Sequence, residues 1–144
     1  MKLSKAILLL IFGLSFFVFS CTEEEPTIVP DVYVNFSINL DLPQYNSLKS
    51  IQNSIIERNR GYDDNGVIVY RYSHEDFLAF DATCPQHITK SVAVVLDEEG
   101  TSGTATCPHC ETTYSFFNFG QADSGHPLKR YQATFQGMFV QVSN

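Results

Sequence analysis

The chain lacks an apolar run long enough to cross a bilayer. Its longest, Ala6 to Phe19, falls short of the ~20 residues that a spanning helix needs. The N-terminus therefore reads as a signal peptide, with Lys2 and Lys5 ahead of the run and the small residue Ser20 behind it. Paired arginines ahead of the run are also missing. Basic charge is scarce: seven of the nine Lys and Arg residues and all sixteen acidic ones lie after residue 20, which leaves a mature net charge of −9. That balance excludes nucleic acid and anionic lipid surfaces as natural partners. There is no internal repeat, and residues 31–144 hold one domain with no room for a separate catalytic one. No Ser-His-Asp arrangement, phosphate loop or paired carboxylates stand out, so no small-molecule substrate site is legible. His74, beside Glu75 and Asp76 in a turn, needs no function.

What is present begins with four cysteines. Val18-Phe19-Ser20-Cys21 resembles a bacterial lipobox, with Phe19 bulkier than the usual small residue. The resemblance implies that residues 1–20 are a lipoprotein signal peptide and that Cys21 becomes the lipidated first residue. Residues 21–30, with Glu23-Glu24-Glu25 and two prolines, then form an acidic tether. An outer-membrane location is expected, with the acidic run resembling a surface-display tag. An ordinary secretory signal cleaved nearby is the alternative. With Cys21 set aside, three cysteines remain, and an odd number does not close a disulfide framework.

Those three fall in two short loops. Cys84-Pro85-Gln86-His87 is followed after nineteen residues by Cys107-Pro108-His109-Cys110. Thiolate and neutral imidazole suit zinc and iron–sulfur clusters, whereas magnesium and calcium prefer oxygen. Three cysteines and His87 make a complete four-ligand set. His109 is the alternative to Cys110, although as the second inner residue of a tight turn it is expected to face solvent.

The surrounding pattern is all-β. Val32 to Leu40 alternates apolar and polar residues as a half-buried strand. Leu48, Ile51, Ile55 and Ile56 share a helical face, which allows a turn or two of helix between Ser47 and Arg60. Gly66–Tyr72 and Phe77–Asp81 read as strands joined in a hairpin at Ser73–Asp76. Further strands are expected at Ser91–Leu96, Thr101–Thr106, Thr112–Phe117, Lys129–Phe135 and Met138–Val142, the last two joined at Gln136-Gly137. Short strands with Gly and Asp turns predict a small antiparallel barrel or sandwich. Both ligand loops fall between strands and are expected at one end of it.

From about Gly66 to Val142 the chain resembles the Rieske-type iron–sulfur domain. The likeness rests on the two ligand loops and on Gly125-His126-Pro127-Leu128-Lys129-Arg130-Tyr131 with its closing hairpin. It implies a 2Fe–2S cluster on Cys84, His87, Cys107 and Cys110, and an electron carrier with a separate redox partner protein. His126 and Pro127 match a loop that covers the cluster. Thr112 and Tyr114 match positions whose hydroxyl and aromatic groups lie near a cluster sulfur, although each is also an ordinary strand residue. The pattern departs from the family's. The first loop is one residue longer than Cys-x-His, Cys110 stands where the second loop has histidine, and Glu111 replaces a glycine. A third thiolate and a nearby carboxylate disfavour reduction, so the expected potential lies between about −400 and about −150 mV.

Two other readings stay open at this point. Both loop spacings are ordinary for a closed zinc site of three cysteines and one histidine. The absent twin arginines favour it, because a chain exported unfolded acquires its metal outside. A metal-free binding module with one disulfide is the third.

Overall fold

The computed structural model describes residues 28–144. The expected signal peptide, Cys21 and most of the tether lie outside the described residues. Ten strands follow in chain order: β1 (Asn35–Asn39), β2 (Ser54–Glu57), β3 (Val67–Arg71), β4 (Phe77–Asp81), β5 (Val95–Leu96), β6 (Thr104–Thr106), β7 (Thr113–Ser115), β8 (Gln121–Ala122), β9 (Arg130–Gln136) and β10 (Phe139–Ser143). They form a six-stranded sheet in the order β1-β10-β9-β4-β3-β2 and a four-stranded sheet in the order β5-β6-β7-β8. Every pairing is antiparallel. No helix among the described residues is long and apolar enough to cross a membrane.

Val67-Ile68-Val69-Tyr70 is apolar at every position because β3 is covered on both faces. Val67 and Val69 join Phe36, Ile38, Leu48, Ala79 and Val140 in one core. Ile68 and Tyr70 join Phe80, Ala105, Phe116 and Leu128 in a second core, which also holds Cys84 and Cys107. Side chains alternate across a strand, so β3 and β4 serve as a shared wall between the two cores. The small sheet packs on that wall and carries the second ligand loop.

Most strand expectations match in place and direction, with shorter bounds. Ser91–Leu96 retains only β5, preceded by a bridge between Thr83 and Ala93. The segment expected to be helical differs. A 3₁₀ turn spans Pro43–Lys49, Gln52 takes the left-handed conformation, and Ser54–Glu57 is a strand paired to β3. The β-branched Ile55 and Ile56 lie opposite Val69 and Ile68, so cross-strand packing overrides the helical spacing. The two-residue β8 carries no periodic signal and was not expected.

Asp81 ends β4 and is fully buried. Its carboxylate accepts from the Tyr62 N–H at 2.8 Å, the Thr83 N–H at 2.8 Å and the Tyr131 hydroxyl at 2.7 Å. Gly61, at φ +73°, brings the backbone so close to this carboxylate that a Cβ there would stand 2.7 Å from Asp81 Oδ2. Replacing Asp81 by alanine strands two buried donors and one half-buried one, and Asp81→Ala is expected to cost about 3 kcal/mol. Urea unfolding of both proteins measures it; a loss within experimental error contradicts the assignment.

Candidate metal centre

Cys84 follows the wall strand β4 by three residues. A residue before proline avoids the helical region, and Cys84 is extended at φ −66°, ψ 116°. Pro85 then opens a 3₁₀ turn through Lys90, which swings His87 back over Cys84. The Cys84 N–H donates to Val92 O at 2.8 Å and the His87 N–H to Cys84 O at 3.0 Å, closing the loop at both ends.

The second loop joins β6 to β7. It is closed by Glu111 N–H on Cys107 O at 2.9 Å and by Cys107 N–H on Thr112 O at 3.0 Å. Glu111 sits at φ +61°, the left-handed conformation that glycine takes most easily. Pro108 and His109 occupy the outer corner and are exposed, while Cys107 is buried and Cys110 is half-buried.

The loops meet. One ligand atom from each of Cys84, His87, Cys107 and Cys110 lies within 4.8 Å of all the others. Cys84 Sγ stands 3.7 Å from His87 Nδ1 and 3.8 Å from Cys110 Sγ. No disulfide joins these three cysteines. His109 is not in the group. Its ring packs edge-on against His87 with centroids 4.4 Å apart, and its Nε2 accepts from the Lys90 ammonium at 2.8 Å.

Hydroxyls reach two of the sulfurs. Tyr114 Oη lies 3.2 Å from Cys84 Sγ, and Thr112 Oγ1 lies 3.1 Å from Cys110 Sγ. The thiols differ in their readiness to ionise. Burial pushes the Cys84 thiol up to about 12, although the Tyr114 hydroxyl works against the rise. Burial also opposes the Cys110 thiolate, but the Thr112 hydroxyl and N–H and the neighbouring Cys107 and Cys84 outweigh it, and that thiol is lowered. Burial, then the adjacent His109 and Lys90, hold the His87 imidazole below its usual range, which keeps it neutral and able to ligate. Burial and Cys84 together raise the Tyr114 phenol, so it stays a donor.

The loop Ser124–Pro127 comes against the first ligand loop through Gln86. The Gln86 amide donates to His126 O at 3.2 Å and to Ser124 O at 3.4 Å. Gly125, at φ +89°, lies so close to that amide that any side chain there would displace it. The contact involves the backbone of His126, whose side chain is exposed. Gln86 was missed as a functional residue, since a loop glutamine reads as solvent-facing until its partner forty residues away is known.

In the metal-free chain these environments order the thiols by reactivity. Cys110 is expected to be alkylated first by iodoacetamide at pH 7.5 and buried Cys84 last. Mass-mapped alkylation with time checks this, and Cys84 reacting first contradicts the geometry.

No protein-family profile and no curated protein matches the chain. Among solved structures it is similar to the ferredoxin of carbazole 1,9a-dioxygenase from Nocardioides aromaticivorans, at 16% identity. That match covers 78% of this chain and 97% of that one, with a TM-score of 0.47. It is also similar to a chain in a complex of reduced oxygenase and oxidized ferredoxin in carbazole 1,9a-dioxygenase. Here the identity is 17%, the coverage 77% of this chain and 92% of that one, and the TM-score 0.48.

Proposed function

We propose that Cys84, His87, Cys107 and Cys110 hold a 2Fe–2S centre in a Rieske-like domain, and that the protein carries electrons to a separate partner protein. The observation that supports it most is the meeting of three thiols and one imidazole from two loops at one end of an all-β scaffold. The donor set fits in kind, since thiolates and imidazoles are the ligands of such clusters. When bound, the cluster supplies one-electron transfer. The chain's own residues do the rest. Cys84 and Cys107 hold their sulfurs inside the second core, away from water. In the metal-free chain the Cys110 thiol donates to Thr112 Oγ1. Ligating thiolates carry no proton, so the Thr112 and Tyr114 hydroxyls would then be the donors and would oppose the build-up of negative charge on sulfur. Gln86 ties Ser124–Pro127 to the first ligand loop. The lipobox-like sequence supports an anchor at Cys21 in the bacterial outer membrane, with the acidic tether holding the domain outside the bilayer.

One observation favours a second reading, a structural zinc. Ligands about 2.3 Å from one tetrahedral ion lie about 3.8 Å from one another. The Cys84–His87 and Cys84–Cys110 separations of 3.7 and 3.8 Å match that edge as they stand. A two-iron cluster divides its ligands between two metals, so loading it requires two of the donors to draw away from the other two.

Metal analysis with an absorption spectrum of protein purified without oxidants separates the two. Two irons per chain, visible bands and a potential between about −400 and about −150 mV support the carrier. One zinc and a colourless solution end that reading, and a potential above zero contradicts the ligand set. Under either metal, Cys107→Ser is expected to abolish binding measured by metal content. Full retention refutes the assignment.

A further inference from the structure

Lys129 is buried, 4% exposed, and takes no part in the metal centre. An ammonium in such a place is costly unless it is paired and hydrogen-bonded. Lys129 Nζ donates to Pro30 O and to Asp31 Oδ1, both at 2.7 Å. Val29, one residue further out, is buried as well. The N-terminal arm is therefore tied to the body of the domain up to Val29, and its point of departure is fixed by structure.

That point lies at the ligand-loop end. Lys129 is two residues past Pro127 of the loop held by Gln86. Its carbonyl accepts from Asp81 N–H at 2.8 Å, where β4 gives way to the segment leading to Cys84. The sheet register agrees, since Asn35 at the start of β1 pairs with Ser143, and Ser143 with Gln132 near the start of β9. The β9–β10 tip at Gly137 and Met138 lies at the far end of the same strands. From Cys21 to Ile28 there are only seven peptide steps, which reach at most about 25 Å.

We infer that the domain is anchored with its metal-centre end toward the bilayer that carries the Cys21 lipid, and with the β9–β10 tip turned away. This rests on the lipid-anchored reading above. A partner that reaches the ligand loops then does so at the membrane surface.

The chain contains no tryptophan, so single introduced tryptophans report position without background. Ser124→Trp marks the ligand end and Met138→Trp the far tip; both native residues are exposed. His126→Trp and Phe139→Trp form a second pair in case either of the first misfolds. The lipidated, metal-loaded full-length variants are placed in phosphatidylcholine vesicles containing a nitroxide-headgroup lipid. Fluorescence at the ligand end is expected to be quenched several-fold more than at the tip, and Lys129→Met is expected to shrink that difference. Equal quenching, or stronger quenching at the tip, in a vesicle-bound protein overturns the orientation alone. An intact mass without diacylglycerol on Cys21 overturns the anchor and the orientation together.

Discussion

The buried carboxylate of Asp81 is the constraint on which the rest of this structure depends. It stands where the shared wall ends and the first ligand loop begins. Its three donors come from the turn before β3, from the segment running to Cys84, and from β9. A buried carboxylate is very costly without such donors, and the buried donors are left unsatisfied, at a smaller cost, without the carboxylate. The mutual need fixes three segments far apart in sequence against one another. Burial and Asp81 together raise the Tyr131 phenol, so that hydroxyl keeps its proton and keeps donating. Cys84 therefore begins its turn from a point with little freedom to shift.

From that point the cost of gathering sulfur ligands is shared unevenly. Cys84 and Cys107 lie in the second core as small apolar side chains, and burial there favours the neutral thiol of Cys84. Cys110 is half-buried, and the Thr112 hydroxyl and N–H with the neighbouring thiols outweigh burial there and lower its thiol. A metal entering the site would meet one thiol, Cys110, that ionises more readily than an ordinary cysteine and one, Cys84, that ionises less readily. Loading is thus coupled to pH and to the folding of both loops. Gln86 extends the coupling to the Ser124–Pro127 loop, because a shift of the Cys84 turn moves the amide that holds His126 O and Ser124 O.

Local chemistry was legible in the sequence and long-range chemistry was not. The two cysteine loops could be read because proline and cysteine at fixed spacing force a tight turn whatever surrounds it, and the structure gathers their three thiols and the His87 imidazole. β3 and β4 could be read because a short apolar run before a Ser–Asp turn has few other uses. The strand Ser54–Glu57 could not, since Leu48, Ile51, Ile55 and Ile56 satisfy a helical period, and the pairing that overrides it is made with β3. Lys129 and Gln86 look like solvent-facing residues in a one-dimensional reading. Their partners, Asp31 at one end of the domain and Ser124 far downstream, appear only when the chain closes on itself.

The grouping of Cys110 rather than His109 with the other three donors follows the same logic of local geometry. With Glu111 in the left-handed conformation and Cys107 bonded to Thr112 across the turn, residues 107 and 110 face one another inside the loop, and 108 and 109 are left at its corner. An imidazole at 109 points away from the other donors, and here it is taken up by Lys90 and by the face of His87. The turn brings position 110, and not position 109, to the other three donors, and the residue there supplies a thiol. A set of three thiolates and one imidazole carries more negative charge than two of each, so whichever metal it holds, the oxidised or non-redox state is the one it stabilises. His109, packed edge-on against His87, and Lys90, bonded to His109, place a polarisable and a positive group beside the one imidazole of that set.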